Sequence, residues 1–306
     1  MRTWTALLLA LTTTLPVACG AADAPGRQQA LRDDVITIGS FDFPESELLA
    51  ELYAVALERA GFSVHRDLGI GPRELAGPAL ERGLIELLPE YSGSALNFVT
   101  GEEVATADPN ATHEALAEAM ASRGLVVLAA SSAQDQNGFG VTRETAERLG
   151  LERLSDLAPF ADSLRFGGPA ECPERPLCLA GLRDVYGLEF EGVVTLDASG
   201  PLTEGALLSG DVDVALVFTT HPMLLGERLM LLTDDLGLQP AENVTPVVHG
   251  EVLERFGAEL AAVVDSVSMR LTTEELRRMN GEVEAGRPVL DVVTEWLRRY
   301  LPEAGS

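Results

Sequence analysis

Apolar and polar positions along the chain switch repeatedly between a period of two and a period near 3.6. "VITIG" (35–39) is a β-branched run of strand type. Pro44 and Glu45 then suit the first turn of a helix, where a missing N–H is harmless and negative charge is favoured. Leu48, Leu49, Leu52, Val55 and Ala56 follow at helical spacing, with Arg59 marking the exit and Gly61 the stop. "FSVHRDL" (62–68) predicts the next strand, residues 73–82 a helix, and "LIELL" (84–88) a third strand that ends just before "PEYSGS". A short helix is expected from "SALNFVTG" onward.

The alternation continues down the chain. A helix is predicted over 112–123, a strand at "LVVLAAS" (125–131), a strand at "FGV" (139–141) and a helix over 142–149. Further strands are predicted at 164–168, 191–196, 212–218, 228–235 and 244–250, with helices over 179–186 and 202–209 between some of them. Residues 251–301 read as nearly all helix, broken at Gly257, Thr272 and Arg287–Pro288. Strand and helix in alternation predict mostly parallel sheets flanked by helices. There are more strands than one small sheet needs, so two α/β lobes are the economical arrangement. The expected division is residues 34–135 with 222–306 in one lobe and 136–221 in the other.

Composition adds limits. The 306 residues are 46% hydrophobic, ample for folded cores. Acidic residues outnumber basic ones by 48 to 22, a formal charge of −26, which is a poor surface for nucleic acid. The first 19 residues have one Arg and an apolar stretch from Trp4 to Val17, too short and Thr-interrupted for a good membrane span, and they read as an export signal. "LPVAC" resembles a lipoprotein processing site at Cys19, although Pro16 stands where that pattern usually has Leu; cleavage without lipidation is the alternative. Residues 20–33 are small and polar, as a tether would be. Of the three cysteines, Cys172 and Cys178 form an even pair in "ECPERPLC", and an exported chain favours a disulfide there over two free thiols.

Catalytic motifs are weak. The four histidines, at 65, 113, 221 and 249, lack metal spacing; there is no G-x-S-x-G elbow or Walker sequence, and "GIGPRE" lacks the third glycine of a dinucleotide fingerprint. No catalytic, metal or cofactor site is expected. Polar and aromatic residues collect instead where strands end: Phe41 and Asp42; Tyr91 and Ser94; Asp135, Gln136 and Asn137; Glu171 and Arg175; Phe218 and Thr219. In open α/β sheets the carboxyl ends of parallel strands are where ligands bind. Five such loops on two lobes would line one cleft.

Four stretches carry a family resemblance: "IGSFDFPESELLAELYAVALERAGFSV", "GPALERGLIELLPEYSGSAL", "LRFGGPAECPERPLCLAGLRDVYGL", and "ALLSGDVDVALVFTTHP" with "LLTDDLGLQPAENVTPVV". From about Val35 to Leu301 the chain resembles the substrate-binding proteins of ABC importers for glycine betaine, choline and related osmoprotectants. The resemblance implies a two-lobed type II periplasmic-binding fold, an extracytoplasmic monomer, and delivery of ligand to a membrane permease. It implies that Tyr91 is a wall of an aromatic box for a quaternary ammonium, that Ser94 contacts the ligand's polar end, that Arg175 pairs with a ligand carboxylate and that Asp135 lies near the cation. The sequence departs from the family where Asn137, Glu204 and Phe218 stand at tyrosine positions, Phe41 replaces a lysine or small polar residue, and His221 replaces a frequent aspartate. A box of Tyr91 and Phe218, completed by Phe41, could still hold a methylated cation. A ligand-sensing protein on the same fold, an importer component for an unrelated amine or amino acid, and an exported enzyme are the alternatives.

Overall fold

The computed structural model describes residues 34–302, so the signal, tether and Cys19 expectations lie outside the described residues. The first part of the chain runs β1 (Val35–Gly39), α1 (Pro44–Arg59), β2 (Ser63–Asp67), α2 (Arg73–Glu81), β3 (Leu87–Tyr91), α3 (Ser92–Thr100), α4 (Pro109–Ala121) and β4 (Leu125–Val127). There follow β5 (Asn137–Thr142), α5 (Arg143–Leu149), β6 (Arg165–Gly168), α6 (Leu179–Tyr186), β7 (Gly192–Thr195), α7 (Pro201–Ser209), β8 (Val214–Phe218) and β9 (Leu229–Leu232). The chain closes with β10 (Val244–His249), α8 (Gly250–Ser268), α9 (Thr273–Glu284) and α10 (Val289–Tyr300).

These strands form two five-stranded sheets, ordered β2-β1-β3-β10-β4 and β7-β6-β8-β5-β9. Each is parallel except for one reversed strand, β10 in the first and β5 in the second. The two exceptions have one cause: each is the strand by which the chain enters a lobe from the other. Such a strand starts at the edge where its neighbours finish, so Val244 pairs with Tyr91 and Asn137 pairs with Phe218. The expected return to the first lobe at residue 222 comes too early. Leu229–Leu232 pairs with β5 and belongs to the second sheet, so the crossing back follows Leu232.

Local chemistry accounts for the element bounds. In α1 Pro44 takes the first turn with Glu45 and Glu47, and the inner face buries Leu48, Leu49, Leu52 and Tyr53. β3 runs to Tyr91, beyond the end predicted from its apolar run, despite Pro89 inside it. The pairing of β1 with β3 stops at Leu87, and across β10 Pro89 faces Pro246, so the missing N–H costs nothing on the β1 side. Gly257 kinks α8 with a φ of 70°, the Thr272 hydroxyl caps α9 by accepting from the Glu275 N–H, and Pro288 precedes α10. Separate apolar clusters fill each lobe, one around Tyr53, Leu52 and Trp296 and two others around Phe166 and Val217.

Candidate functional site

The crossing segments are stitched together where the lobes meet. Gln134 bridges Asn243, the Asp135 N–H donates to the Glu242 carbonyl at 3.2 Å, and the Gln136 N–H donates to Thr219 Oγ1 at 2.9 Å. Gln136 Nε2 donates to the Pro240 carbonyl at 2.6 Å, and Thr219 Oγ1 donates to the Gln134 carbonyl at 2.9 Å. The Gln136 side chain thus ties one crossing to the other, and the Thr219 side chain ties the end of β8 to the first crossing. Arg277 of α9 places two nitrogens on the Thr219 carbonyl, at 3.0 and 2.6 Å, which fastens the end of β8 to the first lobe.

Against this hinge lies a cavity of about 760 Å³. The first lobe contributes Phe43 and Glu45 at the start of α1 and Asn280 and Glu284 near the end of α9. The second lobe contributes Ser199, Phe218 and His221, and Asp135 and Thr220 sit at the crossing. Glu45 is fixed by two donors: Tyr91 Oη gives to Oε1 at 2.8 Å and Asn280 Nδ2 to Oε2 at 2.6 Å. Asp135 Oδ1 accepts from Thr220 Oγ1 at 2.9 Å. Burial pushes the Glu45 carboxyl up, against those hydrogen bonds. Burial also pushes Asp135 well up, and the Glu45 charge pushes it further. His221 moves the other way: burial lowers its pKa, and Nδ1 accepts from the Met223 N–H at 3.2 Å, so the ring is neutral with its proton on Nε2. The start of α7 offers no anion site here, because Asp197 already accepts from the N–H groups of Gly200, Leu202 and Thr203. The cavity thus combines carboxylates with an aromatic ring from each lobe.

Behind it is a second layer of aromatic rings. Phe43 stacks between Phe41 and Tyr91, with centroids 5.9 and 6.1 Å away. Phe41 and Tyr91 are 3% and 6% exposed, so the ring presented to the cavity is Phe43. The Arg73 guanidinium lies 5.2 Å from the Phe41 centroid and pairs with buried Glu90 at 2.9 Å. Ser94 is engaged by Glu242, whose carboxylate accepts from its N–H at 3.0 Å and its hydroxyl at 2.6 Å. Asp42 is exposed and lines neither this cavity nor the next.

A smaller cavity of about 280 Å³ adjoins the first, sharing Ala198 and Phe218. Asn137, Glu171 and Arg175 line it, and so do Cys172 and Cys178, which are joined as a disulfide with Cα atoms 5.3 Å apart. The Arg175 guanidinium pairs with neither Glu171 nor Glu174. The structure therefore brings Asp135, Asn137, Glu171, Arg175 and Phe218 to the two cavities and places Tyr91, Phe41 and Ser94 behind them. Glu45, Phe43 and Asn280 were not among the expected site residues. Glu45 had a sequence signal, since it closes "SFDFPE" at a strand end, but a first-turn acid reads as helix chemistry. Asn280 had none; it meets Glu45 across 235 residues of chain.

Two α/β lobes joined by crossing strands, with a ligand-sized cavity lined from both sides, define a two-lobed solute-binding protein of the type II periplasmic class. The chain belongs to the family described as the substrate binding domain of ABC-type glycine betaine transport systems, whose model matches residues 34–299. It is 29% identical over 300 residues to a glycine-betaine-binding protein of Pseudomonas aeruginosa, covering 95% of this chain and 94% of that one. A carnitine transport binding protein, OpuCC of Listeria monocytogenes, is 24% identical over 91% of this chain and 90% of its own length. The fold matches a solved glycine betaine/carnitine/choline ABC transporter protein with a TM-score of 0.80 at 24% identity, over 86% of this chain and 98% of that one. Proteins of this family bind a small molecule outside the cytoplasm and work with a membrane permease. Among the described residues no helix is long and apolar enough to cross a membrane.

Proposed function

We propose that this chain captures a small quaternary-ammonium or zwitterionic compatible solute, of the glycine betaine or choline type, between its lobes and delivers it to an ABC permease. The observation that carries the reading is one cavity in which the buried carboxylate of Glu45 and the half-buried carboxylate of Asp135 meet the rings of Phe43 and Phe218. A methylated cation donates no hydrogen bonds, so it is held by negative charge and by ring faces, each ring worth about 0.5–2 kcal/mol. Arg175, in the adjoining cavity, supplies a partner for a ligand carboxylate. Closure of the lobes over the ligand is the state that the permease reads. The protein performs no chemistry on its ligand, acts as a monomer and is held at the membrane by lipid on Cys19.

A thermal-shift screen of the mature protein tests the reading, because a ligand that binds only the folded state raises its melting temperature. Choline, glycine betaine, carnitine, proline betaine and ergothioneine are compared with unmethylated amino acids. Stabilisation by the unmethylated set alone would reject a site for methylated cations. Cys19→Ala separately tests the anchor: it should move the protein from the membrane to the soluble fraction of its host.

A further inference from the structure

The two carboxylates of the larger cavity are more than a negative surface. Glu45 reaches it from the first turn of α1 and Asp135 from the crossing between the lobes, and the Thr220 side chain hydrogen-bonds to both. Its hydroxyl donates to Asp135, while Asn280 Nδ2 spans Glu45 Oε2 at 2.6 Å and the Thr220 carbonyl at 3.3 Å. Glu45 is 8% exposed. Two carboxylates so placed repel one another unless a cation or a proton comes between them.

No side chain of the cavity supplies that cation. From α9, Glu284 adds a further acid, and Arg277 is turned to the Thr219 carbonyl. His221, from the second lobe, is neutral and uses Nδ1 to cap the turn that follows. From β3, the Tyr91 hydroxyl donates a hydrogen bond to Glu45, and Glu90 pairs with Arg73 of α2. Glu242, from the crossing back, adds another carboxylate and is occupied by Ser94.

We infer that Glu45 and Asp135 hold one proton between them when the cleft is empty, and that the ligand's cationic group displaces it to solvent on binding. The inference rests on the cation-binding reading and adds Glu45 to it as the residue that couples capture to pH. The exchange keeps the charge of the pole constant, since one positive charge enters as one leaves. Burial pushes both carboxyls up, and the Glu45 charge pushes Asp135 further, which places the exchange above the ordinary carboxylate range. Affinity then rises with pH through that range and levels off above it. A solute bound at neutral pH is released as the surroundings acidify.

Choline is the clean probe, because it has no group that titrates between pH 5 and 8. Calorimetric titration across that interval should show its Kd rising by about tenfold for each pH unit below the level region. At one pH inside the sloping region, buffers of different ionisation enthalpy should give different apparent binding enthalpies, which count the proton released. Glu45→Gln and Asp135→Asn should each flatten the pH profile. A constant Kd with a buffer-independent enthalpy would overturn proton exchange while leaving cation binding intact. The same slope surviving in both variants would place the proton elsewhere and overturn the assignment. Absence of choline and glycine betaine binding at every pH is a different result; it would reject the ligand class itself.

Discussion

Tyr91 Oη donates to Glu45 Oε1 at 2.8 Å, joining the last residue of β3 to the first turn of α1. The ring of the same tyrosine backs Phe43, so one side chain orients both a carboxylate and an aromatic face of the cavity. Tyr91→Phe keeps the ring and removes a donor from a buried acceptor, which should cost about 1–2 kcal/mol of stability and less than tenfold in choline affinity. Tyr91→Ala also opens a void beneath Phe43 and should cost about 3–5 kcal/mol. Urea denaturation with calorimetry checks both. Indistinguishable stabilities for the two variants would remove the packing role assigned to the ring.

Phe43 and Phe218 face the cavity from opposite lobes. Truncating either to alanine should weaken choline by about 1–2 kcal/mol, roughly fivefold to thirtyfold, by deleting a cation–π partner. Phe41→Ala provides the contrast. Phe41 is buried under Arg73 and stacked on Phe43, so its loss should lower stability by about 3–5 kcal/mol with a smaller effect on affinity. Titration of the three folded variants tests whether Phe43 rather than Phe41 is the cavity's ring.

Much of the architecture is legible in the chain because it follows from local periods. The β-branched runs at 35–39 and 214–218 and the Pro-Glu start of α1 stand where expected. What the pattern could not show is strand direction. Val244–His249 and Asn137–Thr142 read like any buried strand, and only their place after a crossing reverses them. Leu229–Leu232 went to the second sheet for a related reason, since its partner, β5, is decided by tertiary pairing. In the candidate site, polar residues at strand ends could be found by position. Glu45 carried that signal but was masked by its place in a helix first turn, and Asn280 reaches the site only through a tertiary contact 235 residues away.

Arg175 lines the smaller cavity beside Glu171 and forms no ion pair with it. Arg175→Ala should therefore act according to the ligand. Glycine betaine, whose carboxylate needs a partner, should lose about 1.5–3 kcal/mol, on the order of tenfold or more. Choline has no carboxylate and should bind nearly as before. Equal losses for both ligands would mean that the arginine shapes the cleft without contacting the anion.

The disulfide closes a loop with a sequence separation of six residues, and Arg175 lies inside it. The chain entropy removed by so short a loop is small, about 2 kcal/mol. Replacing both cysteines by serine should lower stability by no more than roughly that amount. Its larger effect should fall on betaine affinity, because the loop then no longer holds the guanidinium against the smaller cavity. Comparing the losses of affinity for betaine and for choline separates the two consequences, and a loss shared by both ligands would contradict the loop's role in anion binding.

The acidic pole also sets how stability of the ligand-free protein depends on pH. The folded-state pKa values of Glu45, Asp135 and Glu242 are all raised by burial. Between the ordinary carboxylate value, about 4, and those raised values, the folded protein binds more protons than the unfolded chain. Stability therefore falls as pH rises through this window, and mild acidification from neutrality should raise the melting temperature. Carboxylates with lowered values, such as Glu58 beside Arg66, titrate beneath the window and oppose the trend only in stronger acid. The formal charge of −26 also favours the folded state on acidification, through reduced self-repulsion, so the wild-type curve alone does not isolate the pole. Glu45→Gln does, because it changes the net charge by one unit while removing a buried titrating group. The variant should exceed the wild type at neutral pH, and the gap should close as the pH falls and the wild-type carboxyl takes up its proton. Saturating choline should narrow the neutral-pH gap further, because its cation stabilises the wild-type carboxylates. Denaturation curves for both proteins at several pH values measure this difference; a gap independent of pH would show that Glu45 is not a strained acid in the empty cleft.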